Sequence, residues 1–229
     1  MDPNSFHAKI LGSKVLPISI KRLILVSASW TFRGTVFYMD RTEKAFAIVL
    51  EILTFLALGV ALIRFTGFYT GLFLAFVITH TLHWLFNGQV FLLFKNLGFT
   101  RIEREQFIKY AKALQQRITK QRFLSAAAIF GSLSRGKLKE TSDLDVHIIR
   151  RSGVVNGLKA CIFTLLERAR AFLNGFPLDV YTLDDLRNLS KLRSDEPPII
   201  LYDPDEKLVK KYQHFFYFDE ITTKTLGKG

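Results

Sequence analysis

Two aspartates stand two residues apart in the stretch SDLDVHIIR: Asp143 and Asp145, set among apolar residues. In a strand, residues i and i+2 share a face, so both carboxylates point the same way. Carboxylates a few ångströms apart repel and raise each other's pKa, and a cation between them relieves that cost. Mg2+ fits such a place, because it binds through one or two carboxylates plus phosphate oxygens. A third acid, Asp179, interrupts the apolar run FPLDVY, where a charge needs a reason. If its strand neighbours that of Asp143, three carboxylates converge, enough for two metal ions. Blander readings exist: Asp143 as a solvated or capping residue, or Asp184 or Asp185 competing with Asp179. A capped helix start running from Thr182 to Asp185 explains Asp184 and Asp185 better.

Upstream, the apolar run Ala126 to Phe130 ends at Gly131-Ser132. A glycine where a strand ends lets backbone N–H groups approach a phosphate closely. A helix starting there would add its N-terminal partial charge. Ser132 offers a hydroxyl, and Arg135, Lys137 and Lys139 are close enough in sequence to help neutralise a polyphosphate. Arg135 reads equally well as a surface residue.

The order GSLSRG, then SDLDV, then a lone aspartate in a strand resembles the polymerase-beta-like nucleotidyltransferase superfamily. The likeness runs from about Phe123 to Tyr202 and includes PIILYDPD, similar to the segment after the core in small members. It implies that Gly131 and Ser132, with Arg135, bind nucleotide phosphates, and that Asp143, Asp145 and Asp179 are both the metal-binding and the catalytic residues. The chemistry it implies is two-metal transfer with two Mg2+ ions, or Mn2+ in their place. One ion grips the triphosphate of an NTP and the second lowers the pKa of an acceptor hydroxyl. That oxygen attacks the α-phosphorus in line and pyrophosphate leaves. The acceptor (protein side chain, small molecule, nucleic-acid end or lipid headgroup) and the base are open.

These residues need a scaffold. Arg101 to Lys120 has helical periodicity, with Ile102, Phe107, Ala111, Leu114 and Ile118 in one stripe. Its basic residues read as a solvated face ahead of a lipid or nucleic-acid contact. Strands are expected at 126–130, 144–149, 176–181 and 198–202, a helix over 154–173, and another in DPDEKLVKKYQ. Strands alternating with helices give the α/β class. The expectation is a small mixed-sheet nucleotidyltransferase domain over 95–229, preceded by two transmembrane helices.

Those helices are read from AFAIVLEILTFLALGVALI, residues 45–63, and FYTGLFLAFVITHTLHWLF, residues 68–86. Each has 19 residues, a length of about 28 Å at 1.5 Å per residue, close to one hydrocarbon thickness. With four residues between them they read as a membrane hairpin, with an interfacial tail to residue 94 after Asn87-Gly88-Gln89. Arg33, Arg41 and Lys44 before the first span and Lys95, Arg101 and Arg104 after the second outweigh Arg64 in the loop, so both termini and the catalytic domain are expected in the cytoplasm. Folding the hairpin about its loop puts Glu51 level with His80, with His83 one turn away. An ionisable group in lipid faces a partner, so Glu51 is expected to meet His80 or His83, as a latch more readily than as a metal or proton site. Residues 1–44 form an N-terminal cytoplasmic or interfacial segment in which Ile18 to Trp30 is either helix or strand.

The whole chain has 229 residues and a formal net charge of +12, which favours anionic neighbours such as nucleotide, nucleic acid or acidic lipid. One cysteine, Cys161, excludes a disulfide framework and a cysteine-rich zinc site and reads as a small buried residue. The first fourteen residues lack the apolar core and cleavage pattern of a signal peptide. Besides a membrane-anchored enzyme, two readings stay open: a non-catalytic nucleotide sensor, and a membrane module whose basic face binds nucleic acid or a partner. Oligomeric state is not readable.

Overall fold

The computed structural model describes residues 17–32, 39–86, 101–191 and 196–221, and the fold below is that of these residues. In chain order they form α1 (Ile18–Phe32), α2 (Arg41–Thr66), α3 (Phe68–Phe86), α4 (Arg104–Thr119), β1 (Leu124–Phe130), β2 (Leu144–Arg150), α5 (Val154–Leu173), β3 (Leu178–Leu183), β4 (Ile199–Tyr202), α6 (Lys207–Lys211) and β5 (Phe216–Tyr217). The sheet has the order β3-β2-β1-β4-β5. It is mixed: β1 runs antiparallel to β2 and β4, while β2–β3 and β4–β5 are parallel. The β2–β3 pair is parallel because α5 carries the chain back across the sheet between them, as parallel neighbours require.

Alternation along the strands divides the sheet into two faces. Leu144, Val146, Ile148, Leu178 and Val180 join the stripe of α4 and the inner face of α5 in the main core. All five stripe residues foreseen from periodicity are buried there. Ala126, Ala128, Phe130, Ile149, Leu183 and Ile200 form a smaller cluster on the opposite face. A buried carboxylate, Glu167 of α5, receives two parallel N–H bonds from Arg117 of α4 at 2.9 Å and bolts the two helices together. Cys161 is buried, as expected.

Two expected elements differ. No helix starts at Thr182: β3 continues to Leu183, and a 3-10 turn, Leu186–Lys191, follows. The Thr182 hydroxyl is drawn inward to Thr164 at 2.6 Å, so it is not available to cap, and tertiary packing overrides the local capping signal. The last helix is shorter than the charged run suggested, and the Asp203 carboxylate caps it by accepting from the amides of Lys207, Leu208 and Val209.

α2 and α3 are long and apolar enough to cross a membrane. They meet closely at the loop end, where a Cβ on Gly71 would lie 2.7 Å from the backbone of Ile63. Only a glycine allows that approach. Outward-facing Ile52, Leu53, Leu56 and Val60 of α2 and Phe73 and Phe76 of α3 are all more than half exposed. Glu51 meets His80, as folding the hairpin foresaw: Oε1 lies 3.5 Å from Nδ1. The other ring nitrogen, Nε2, is 2.7 Å from the carbonyl oxygen of Trp30. A carbonyl can only accept, so Nε2 carries a proton and donates. The Ile18–Trp30 segment is thus a helix, α1, whose Trp30 also donates from its indole to Thr81 at 3.1 Å. The expected return at 87–89 and the tail to 94 lie outside the described residues.

The base of α2 is fastened to the sheet. Glu43 is buried and accepts from Arg168 of α5 at 2.6 Å and from the amide of Thr182 at 2.7 Å. Asp40 accepts from the amide of Asp184 at 2.9 Å, and Asp184 accepts from the amide of Thr42 at 3.1 Å and from Arg150 at 2.7 Å. The amides of Thr182 and Asp184, at the end of edge strand β3, are therefore covered by carboxylates at the start of α2, which protects that end of the edge from pairing elsewhere.

Candidate active site

Asp145 is the second residue of β2, and its neighbours on both sides are fixed by register. Across the antiparallel pair it faces Phe130, the last residue of β1; across the parallel pair it faces Asp179, the second residue of β3. Side chains in register on adjacent strands share a face, so these two carboxylates stand side by side. That face is opposite the one packed on α4 and α5. Asp143 lies just before the strand, which begins at Leu144, so the two aspartates are not both within it. Asp143 is nevertheless close enough for its charge to raise the pKa of Asp179.

Asp179 carries the clearest electrostatic signature. Burial, opposed in part by the Tyr181 hydroxyl and the Arg168 charge, pushes its carboxyl up from 3.8 to about 6. Tyr181 donates to its Oδ2 at 3.0 Å. Tyr181 in turn lies beside Arg168, whose guanidinium carbon is 5.5 Å from the ring centre. A carboxylate that the protein itself stabilises this weakly favours either a proton or a cation.

Gly131 follows β1 with φ +80°, a conformation glycine adopts without strain. It also needs the space: a Cβ there would sit 2.0 Å from Oδ2 of Asp145. No helix starts at Gly131, and residues 131–136 form consecutive turns. They are closed by Lys137 N–H to Ser132 O at 2.9 Å and by the Ser134 hydroxyl donating to Gly131 O at 3.1 Å. Ser132 Oγ is buried and, among the described residues, has no hydrogen-bond partner. A buried hydroxyl left unsatisfied in this way suits a site awaiting a polar ligand.

Glu196 is a residue that sequence reasoning missed. It is buried, accepts from the amide of Gly131 at 3.0 Å and pairs with Arg135. A carboxylate thus engages the two donors that the motif assigns to phosphate. The sequence gives no signal for it, because Glu196 is 65 residues from Gly131. His147 was also not singled out. It shares the face of Asp145, its buried Nδ1 has no partner among the described residues, and burial pushes its pKa down to about 4. The alternation Asp143, Asp145, His147 could have pointed to it. Asp184 and Asp185 do not compete for the site: Asp184 holds Thr42 and Arg150, and Asp185 accepts from Arg187.

The structure therefore brings Gly131, Asp145 and Asp179 together, sets Asp143 within electrostatic range and leaves Arg135 on Glu196. Among the described residues, no group of three or more His, Cys, Asp and Glu side chains is already gathered at metal-ligand spacing. The donor chemistry still fits a divalent cation completed by phosphate oxygens. Two carboxylates are adjacent, one is poorly stabilised as an anion, and a glycine turn borders them.

Residues 108–203 match the family model of the nucleotidyltransferase domain, and the chain carries that domain, with the two apolar helices N-terminal to it. The match covers both Gly131-Ser132 and all three aspartates. No curated protein matches the chain.

Proposed function

We propose that this chain is a membrane-anchored nucleotidyltransferase, with residues 45–86 as its hairpin and residues 95–229 as its cytoplasmic domain. It moves an NMP from an NTP to an acceptor hydroxyl. The observation that carries the reading is the parallel register pairing Asp145 with Asp179, beside a glycine turn that has room for Asp145 alone. The membrane part is supported by the exposed apolar faces of α2 and α3: only 6% of the most apolar window of α2 is buried, whereas a core helix of a soluble protein would be covered.

Asp143 and Asp145 would hold one Mg2+, and a second ion would be shared with Asp179. When bound, the metal supplies charge neutralisation of the triphosphate and acidification of the acceptor hydroxyl. The chain's own groups do the rest. The Ser132 hydroxyl donates to phosphate oxygens, and the Gly131 amide and Arg135 join it once released from Glu196. The acceptor oxygen forms a bond to the α-phosphorus, the bond to the bridging oxygen breaks, and pyrophosphate leaves. Asp179, the third acid beside the acceptor position, would take the acceptor proton. Positioning and electrostatics supply the rate enhancement.

The test is purified protein with each α-labelled NTP and Mg2+, with native membranes and soluble extract as separate acceptor sources, beside an Asp143→Asn/Asp145→Asn variant. Label transferred by the wild type alone supports the enzyme and identifies base and acceptor. Mg2+-dependent binding without transfer from either source would replace it with a nucleotide sensor.

A further inference from the structure

The outer side of α5 is a continuous apolar surface on a helix that otherwise packs well. Val155, Leu158, Ile162, Leu166 and Leu173 recur at helical spacing and are 64%, 49%, 42%, 56% and 80% exposed. That is one face of a 20-residue helix. The opposite face, with Ala160, Phe163 and Ala171, is buried in the main core. Soluble domains rarely leave so large an apolar strip open to water.

What covers it follows from where α5 lies. Its first turns touch the start of α2, since a Cβ on Gly157 would lie 2.9 Å from the Thr42 side chain. Its middle is tied there by Arg168 to Glu43. Its last turn meets the end of α3, with the Phe172 and Phe86 rings 5.8 Å apart. Thr42 and Phe86 are the two ends of the apolar hairpin remote from its loop. α5 is thus slung across the base of the hairpin, at the level where the spans leave the lipid. Exposed Lys159 borders the strip on one side, with Arg170, which also pairs with buried Glu167, further along it, and the chain has a net charge of +12. An apolar face bordered by basic residues is the pattern of helices lying in a membrane interface with anionic lipid.

We propose that the outer face of α5 lies in the cytoplasmic interface of the bilayer, so that the domain rests on the membrane instead of hanging from the hairpin. The inference rests on the hairpin reading above. It has a consequence for the substrate. Leu144, Val146, Leu178 and Val180 point toward α5, so Asp145 and Asp179 occupy the face of the sheet away from it. With α5 on the lipid, the acids open toward the cytosol, and the acceptor is a water-borne molecule, not a lipid headgroup.

The test uses the full chain in vesicles of phosphatidylcholine with phosphatidylglycerol, in a Cys161→Ala background. A polarity-sensitive fluorophore is attached singly at Leu158→Cys, Leu166→Cys and Leu173→Cys. Leu56→Cys in α2 reports the bilayer interior, and Lys112→Cys on exposed α4 reports water. The expected result is blue-shifted emission at all three α5 positions, quenched by a spin label near the lipid glycerol and poorly by aqueous iodide. Iodide quenching at these positions equal to that at Lys112, with Leu56 buried in lipid, overturns the proposal but leaves the hairpin intact. Protection from both quenchers, with disulfides forming between copies of the unlabelled cysteine variants, would overturn it in favour of a second copy. A lipid-inaccessible Leu56 would remove the hairpin reading and this inference with it.

Discussion

Replacing Asp179 by asparagine should remove activity and at the same time stabilise the ligand-free protein. The carboxyl has an ordinary value of 3.8 in the unfolded chain and about 6 in the fold, mainly because burial disfavours its charge. A raised carboxyl makes the folded state bind the proton more tightly than the unfolded state. Its contribution is therefore most favourable below pH 3.8 and is lost as pH rises through 6. The gap corresponds to about 3 kcal/mol at pH 7.5, as one pKa unit is worth about 1.4 kcal/mol. Asparagine keeps an acceptor for the Tyr181 hydroxyl, 3.0 Å away, and the attraction to Arg168 that it gives up is already counted in the raised value, so the expected gain stays about 3 kcal/mol. Urea unfolding of both proteins in one detergent, followed by circular dichroism from pH 4 to 8, measures the difference. His147, pushed down to about 4, destabilises both proteins equally as pH falls below 6.5 and cancels. The expected curve favours the variant increasingly from pH 4 to 6 and is level above. A variant less stable than wild type at pH 7.5, or a difference independent of pH, would refute the electrostatic account of this site. Mg2+ with NTP should close the gap by stabilising only the wild type.

Glu196→Gln should tighten NTP binding roughly tenfold, because one charge-assisted competitor for the Gly131 amide and Arg135 is worth about 1.5 kcal/mol; weaker binding in a titration would mean that Glu196 organises the turn instead of blocking it. Glu43→Ala leaves Arg168, itself 4% exposed, buried beside an unpaired Thr182 amide. It should cost about 3–5 kcal/mol of domain stability by the same urea measurement, and limited proteolysis should then separate hairpin from domain. Glu51→Ala leaves Nδ1 of His80 without its carboxylate, with an expected loss of about 0.6–2 kcal/mol in hairpin stability read by thermal unfolding in detergent; an unchanged midpoint would show that the latch contributes nothing.

The apolar lengths, the stripe of α4, the strand carrying Asp145 and the pairing of Glu51 with His80 were all legible in the sequence. Each depends on local periodicity or on folding a short hairpin about its loop. The motif order GSLSRG, SDLDV and FPLDVY also marked the candidate acids before any contact was known. Thr182 and Asp185 misled, since a capping signal holds only while the hydroxyl is free, and Thr164 claims it. Residues brought together across long separations gave no sign. Glu196 on Gly131 and Glu43 on Arg168 are examples, 65 and 125 residues apart. Sequence determined which residues bear charge and which segments avoid water, because side-chain chemistry and spacing are local. The tertiary structure alone decided that Asp145 stands beside Asp179, that a carboxylate engages the Gly131 turn, and that the first apolar helix is fastened to strand β3. These follow from strand order and register, which are set by the packing of the whole core and by no short stretch of chain.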